Sequence, residues 1–235
     1  MADRQNIVEL VLRYFLGTLG NENLFSFPSL SPKIKDLLFP KFCAGCGQEG
    51  SWLCADCLPE INTLKTEKAV ANLDGITALF DYGENTISKL IKIFKYNYLL
   101  EIAEIFKKII TDAKSNDAWS GFIIIPVPLH ARRERERGFN QSEIIAKLFA
   151  EKFGLETNKN LHRVIYTAQQ AKLSGEQRRA NLKNAFVFSN SDKAVPEKVL
   201  LVDDVFTTGA TMQECAKVLK NKGVKVVWGL VLARG

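Results

Sequence analysis

Between Val199 and Thr211 the chain reads VLLVDDVFTTGAT, and this order of residue types leaves little freedom of fold. Val199 to Val202 is a short apolar run between polar flanks, the pattern of a strand buried on both faces of a parallel sheet. Two aspartates follow, then small hydroxyl residues and glycine. Met212, Cys215, Ala216 and Leu219 then recur at helical spacing, and Gly223 supplies a stop. The unit is therefore strand, acidic pair, small-residue loop, helix.

Each part has a chemical use. The first turn of the helix leaves backbone N–H groups without intrahelical partners, at the positive end of the helix dipole. That is a phosphate site, to which Thr207, Thr208, Gly209, Ala210 and Thr211 add hydroxyl donors and close backbone approach. Asp203 and Asp204 fall at the carboxyl end of the strand, where open α/β sheets bind ligands. There they can accept from neighbouring sugar hydroxyls, directly or through a divalent ion. A ribose 5-phosphate unit satisfies both halves. The stretch carries no Gly-Lys-Ser/Thr and no GxGxxG, which excludes a Walker loop and a dinucleotide loop.

This stretch resembles the phosphoribosyl pyrophosphate motif of the type I phosphoribosyltransferases. Two more stretches narrow the resemblance to the ComF family. They are Ile125-Pro-Val-Pro-Leu-His130 with Arg137-Gly-Phe-Asn-Gln-Ser142, and Leu173-Ser174 with Arg178, Asn181-Leu182 and Ala185-Phe186. The resemblance covers about residues 36–235. It implies an α/β fold: a type I phosphoribosyltransferase-like parallel sheet with a hood, preceded by a small four-cysteine zinc module. It also implies phosphoribosyl pyrophosphate as ligand, with magnesium, and Asp203 and Asp204 as the central acids. A pyrophosphate and lid role carries over to Val127, Pro128, His130, Arg137, Arg178 and Asn181. The turn at Val127 to His130 departs from the usual pattern, since it lacks a Lys or Arg and two glycines. Two activities follow. One is ribosyl-phosphate transfer to a nitrogen nucleophile. The other is an inactive binding module for single-stranded DNA in competence or in use of DNA as a nutrient. The N-terminal helix and zinc module are a third element, a dock for a helicase-like partner.

Other parts are read from the residues alone. Residues 1–33 hold an amphipathic helix and a linker, with Val8, Leu12, Phe15 and Leu19 on one face; the helix packs on the body or serves a partner or membrane surface. Residues 34–70 contain Cys43-x-x-Cys46 and Cys54-x-x-Cys57, separated by seven residues. That spacing marks a closed zinc site, with Trp52, Phe42 and Leu53 expected as its own small cluster. Residues 71–235 form the main domain. Strands are expected at Ile76–Tyr82, Phe122–Val127 and Val224–Leu232, and helices through Ile87–Phe94, Leu99–Ile110 and, capped by Ser142, Ile144–Phe149. Lys95 is read as a helix-terminal charge satisfied by the dipole. Arg132 to Arg137, with four Arg and two Glu, suits either a solvated helix with internal ion pairs or an arginine lid.

The net charge of +6 permits a phosphorylated or nucleic-acid partner without demanding one. No apolar run reaches about 18 residues, so no transmembrane helix is expected. The cysteine spacing and the lack of a signal-peptide pattern point to the cytoplasm.

Overall fold

The computed structural model describes residues 40–58, 65–83, 85–95, 99–112, 119–166, 182–189 and 194–235. Phe42–Gly235 forms one compact unit, and everything below concerns it. After a one-turn 3-10 helix at Ala55–Cys57 come β1 (Lys65–Val70), β2 (Leu73–Asp81), α1 (Asn85–Phe94) and α2 (Leu99–Asp112). Then follow β3 (Phe122–Pro126), α3 (Ala131–Arg137), α4 (Gln141–Phe153), β4 (Leu161–Arg163) and β5 (Phe186–Phe188). The chain closes with β6 (Lys198–Phe206), α5 (Ala210–Asn221) and β7 (Val226–Arg234).

The main sheet has the order β1-β2-β7-β6-β3. The β2–β7, β7–β6 and β6–β3 pairs are parallel. The antiparallel edge strand β1 has no counterpart in the expected elements. Its sequence KTEKAV is mostly polar, so no buried-strand pattern marks it. The two cores bury β7 on both faces, through Leu230 and Leu232 on one and Val227 and Val231 on the other, which explains its nearly unbroken apolar run.

Side chains alternate across the sheet and build two cores. Leu200, Val202, Leu230 and Leu232 join Ile87, Leu90, Phe94, Phe106 and Phe149 from α1, α2 and α4. Val199, Leu201, Val227 and Val231 join Met212, Cys215, Ala216 and Leu219 of α5 on the other face. The short antiparallel pair β4–β5 leans on this second core through Leu161, Phe186 and Phe188. It lies within residues 158–190, where the hood is expected; residues 167–181 of that stretch, and residues 1–33, lie outside the described residues. Among the described residues no helix is long and apolar enough to cross a membrane.

The cysteine segment does not form the expected cluster of its own. Trp52 and Leu53 pack on the first main core, and Phe42 stays 46% exposed. Ala44 is buried in that core, Lys89 of α1 donates to the Ala44 carbonyl at 3.1 Å, and the Trp52 indole N–H donates to Glu101 of α2 at 2.6 Å. A segment too short to enclose a core has borrowed one.

Candidate functional site

The carboxyl ends of β6 and β3 lie side by side, paired in register from Phe122–Lys198 to Pro126–Val202. Three features meet there: the acidic pair on β6, the loop into α5, and the turn after β3. Thr207 and Thr208 are exposed, Thr211 is half-buried, and Gly209 and Ala210 are buried. Gly209 is the residue before α5 and has φ 69°, ψ 0°, the left-handed conformation. Among the described residues no side chain caps the helix; Ala210 N–H reaches the Thr208 hydroxyl only at 3.5 Å. The helix thus begins on bare backbone donors beside three threonines, an anion-binding arrangement.

Successive residues of a strand point to opposite faces, and the two aspartates part accordingly. Asp204 is buried and turns toward α1, where its Oδ2 lies 2.8 Å from Lys95 Nζ. Asp203 turns the other way, and its Oδ1 accepts from Ser142 Oγ at 2.7 Å and from Asp204 N–H at 2.9 Å. Burial, and next the Asp204 charge, push the Asp203 carboxyl up to about 7; the Ser142 hydroxyl and Lys95 only partly oppose this.

A raised carboxyl pKa means that the folded protein holds a proton which the unfolded chain has released. Stability contributed at this position is therefore lost as pH rises between the two values, about 4 and about 7. Asp203→Asn keeps an acceptor for Ser142 and removes the titration. Its stability advantage over the parent is expected to grow by about 1–3 kcal/mol from about pH 5.5 to about pH 8. Thermal melts of both proteins in magnesium-free buffer measure this, and an advantage that stays flat with pH counts against it.

The turn after β3 is fixed through Val127, whose N–H donates to the Val202 carbonyl at 2.8 Å and whose own carbonyl accepts from Asn140 Nδ2 at 3.1 Å. Val127 is buried and Pro128 half-buried. His130 precedes α3 and caps it, its Nδ1 accepting from Arg132 N–H at 3.2 Å. With Nδ1 an acceptor, the ring proton sits on Nε2. The Arg132–Arg137 run is the α3 helix, with an Arg132–Glu136 ion pair at 2.9 Å one turn apart. Arg137 donates to Gln141 Oε1 at 2.6 Å, beside the start of α4. Arg178 and Asn181 lie outside the described residues.

Two expectations are corrected. The residue capping α4 is Asn140, whose side chain accepts from Ser142 N–H; Ser142 instead spends its hydroxyl on Asp203. Lys95 is more than a helix-terminal charge, since it reaches across to Asp204. Asn140, Gln141 and Ser142 are all buried polar residues at the head of an apolar helix, and that contrast was the available signal. A groove of about 550 Å³, lined by Lys147, Glu151 and Leu155 toward the far end of α4, is open to solvent and shares no residue with this site.

The four cysteines form a second centre. Cys43 and Cys54 Sγ are 3.6 Å apart, Cys46 and Cys54 Sγ 3.8 Å, and all four lie within 4.8 Å of one another. A tetrahedral ion with metal–sulfur bonds of about 2.3 Å needs sulfurs about 3.8 Å apart, so the set fits zinc. These are free thiols, too far apart for disulfides. Burial pushes the Cys43 thiol up, but the backbone N–H groups of Cys54, Cys46 and Gly45 outweigh it and bring it down to about 6. Contact with Cys54, then burial, pushes Cys57 up to about 12. A Cβ on Gly45 would stand 2.7 Å from Cys57 Sγ, so only glycine fits in the first knuckle. Cys215 is fully buried on the inner face of α5 and is not part of this group.

Residues 140–235 match the phosphoribosyl transferase domain model. Competence protein F of Haemophilus influenzae is 35% identical over 204 residues, which is 83% of this chain and 86% of that one. The chain belongs to the ComF family. Competence protein ComFC of Bacillus subtilis is 26% identical over 185 residues, 77% of this ComF-family chain and 72% of its relative. DNA utilization protein YhgH of Salmonella typhi is 38% identical over 112 residues, about half of each chain. The part of the ComF-family chain that matches the transferase domain opens at Asn140, the α4 cap, and includes Ser142, the acidic pair and the loop Thr207 to Thr211. The cysteine centre, Lys95 and the Val127 turn precede it.

Proposed function

We propose that this protein binds phosphoribosyl pyrophosphate with magnesium at the carboxyl end of β6, and that it serves DNA uptake or the use of DNA as a nutrient. The observation that carries the ligand is the junction at Gly209, where a left-handed residue opens α5 just past the strand end that holds Asp203 and the buried Asp204. Backbone donors of Gly209 to Thr211 and the threonine hydroxyls take the 5-phosphate. Asp203 and Asp204 take the ribose hydroxyls. Both are hard oxygen donors of the kind that magnesium prefers, and that ion would neutralise the diphosphate as leaving group. The Val127 turn, fixed by Asn140, borders the same strand end.

The chemistry that fits is transfer of ribosyl phosphate to a nitrogen nucleophile with release of pyrophosphate. Nothing here needs a covalent nucleophile; rate comes from positioning and from charge. The role in DNA handling rests on the names of the relatives, competence and DNA utilization. The cysteine centre is read as structural zinc, since four thiolates leave no open position. Reduced thiols held around one ion suit the cytoplasm.

A second reading makes the fold a single-stranded DNA module. Tyr166 is exposed beside Val164 and Ile165, with the Arg132 guanidinium 4.8 Å over its ring and His130 5.2 Å away. An exposed aromatic ring among basic groups is a surface on which bases stack.

Calorimetric titration with phosphoribosyl pyrophosphate and magnesium separates the two. The zinc-loaded protein is expected to bind, and Asp203→Asn/Asp204→Asn to lose at least about tenfold in affinity. Silence of the parent protein at millimolar ligand sinks the first reading. Affinity for single-stranded DNA that falls steeply with salt then supports the second.

A further inference from the structure

The proposed ligand carries two anionic groups, and the loop provides for one of them. Thr207 to Thr211 contain no lysine or arginine, and neither does the turn Val127-Pro-Leu-His130. His130 spends its Nδ1 on the α3 cap. Against the acidic pair the structure sets Lys95, which arrives from the end of α1 rather than from either strand end and pairs with Asp204, while Arg163 of β4 lies within electrostatic reach of Asp203.

Its ion pair is not a surface ornament. Lys95 and Asp204 side chains are 28% and 11% exposed, and Nζ to Oδ2 is 2.8 Å. Shielding of that degree makes an unpaired partner costly. Hydroxyl donors of a ribose that occupy Asp204 must displace the ammonium. An ammonium displaced without a new anion would be left partly buried and uncompensated. A ligand that brings an anionic oxygen along with its hydroxyls avoids this cost.

We propose that Lys95 is a ligand-binding residue. It neutralises Asp204 in the free protein, and it passes to the diphosphate of the sugar phosphate when ribose hydroxyls take its place on Asp204. The exchange makes the site prefer a ribose that carries a second anionic group over one that carries the 5-phosphate alone. This inference rests on the reading of the site as a phosphoribosyl pyrophosphate pocket.

The test is calorimetry on the full zinc-loaded chain, with phosphoribosyl pyrophosphate and ribose 5-phosphate as probes, both with magnesium. The parent is expected to prefer the diphosphate ligand. Lys95→Met should weaken that ligand at least about tenfold while changing ribose 5-phosphate less than about threefold, so that the preference collapses. Lys95→Arg should restore most of it. A purely structural ion pair would weaken both ligands together. Lys95→Gln, which keeps a hydrogen-bond donor to Asp204, gives the same comparison should the methionine variant fail to fold. A lysine variant that folds and keeps the full preference overturns the inference and leaves the pocket intact. A parent protein that binds neither probe overturns the pocket, and the role of Lys95 with it.

Discussion

Gly209→Ala is expected to lower stability by about 2–4 kcal/mol and to weaken sugar-phosphate binding by about 10- to 100-fold. Two costs coincide at this residue. Its φ of 69° places any L side chain in the left-handed region, which costs about 1–2 kcal/mol. A Cβ there would also stand 2.2 Å from Phe206 Cζ. Phe206 cannot swing aside cheaply, because it is buried at the end of β6 with the Arg234 guanidinium 5.5 Å from its ring. The loop must move instead, and the loop is where the phosphate is proposed to bind. Gly223→Ala is the control. That residue has φ 102° and nothing within 4 Å of its Cβ position, so it bears the backbone cost alone. It should lose about 1 kcal/mol and bind ribose 5-phosphate as the parent does. Equal binding by both variants would mean that the phosphate does not sit on this loop.

Stripping the metal is expected to have a comparable or larger effect. The four sulfurs are crowded within 4.8 Å of one another, so an ion held there would supply folding energy directly. Removal by a strong chelator, or Cys54→Ser, should cost about 3–5 kcal/mol and lower the melting temperature by about 10 °C. Cys54 is the informative position, since its sulfur contacts both Cys43 and Cys46. Metal analysis should find one zinc per parent chain and a large loss in the variant. Cys215→Ser should keep its zinc, because that thiol lies elsewhere in the core. A parent that melts at the same temperature with and without chelator would sink the structural role of the metal.

The parts of this molecule that were legible in the sequence are those whose cause is local. The strand Val199–Val202, the loop after it and the periodic helix from Met212 each follow from neighbouring residues, and all three stand in the structure. So does the last buried strand, expected over Val224–Leu232 and found over Val226–Arg234. What escaped depends on distant chain. Lys95 reads as an ordinary helix-terminal lysine until Asp204, more than a hundred positions onward, is folded against it. Ser142 reads as a cap until Asp203 claims its hydroxyl. Strand β1 is too polar to announce itself and exists because β2 offers an edge. Spacing shows a metal knuckle but not the surface it leans on, so it assigns Trp52 and Leu53 a cluster of their own that the fold replaces with the main core. The acidic pair itself was legible as chemistry. That its two carboxylates face opposite partners follows from strand alternation once the neighbours are known.

Helix α1 touches both centres of the protein. Near its start Thr86 lies beside Gly45 and Lys89 holds the Ala44 carbonyl, while Lys95 at its end holds Asp204. The span between these contacts is a rigid rod of about 15 Å. Thermodynamics makes any coupling along such a rod reciprocal. By whatever factor zinc raises the affinity for the sugar phosphate, the sugar phosphate raises the affinity for zinc. A protein whose pocket is filled should then keep its metal against a higher chelator concentration than an empty one, so that occupancy of one centre can be read at the other.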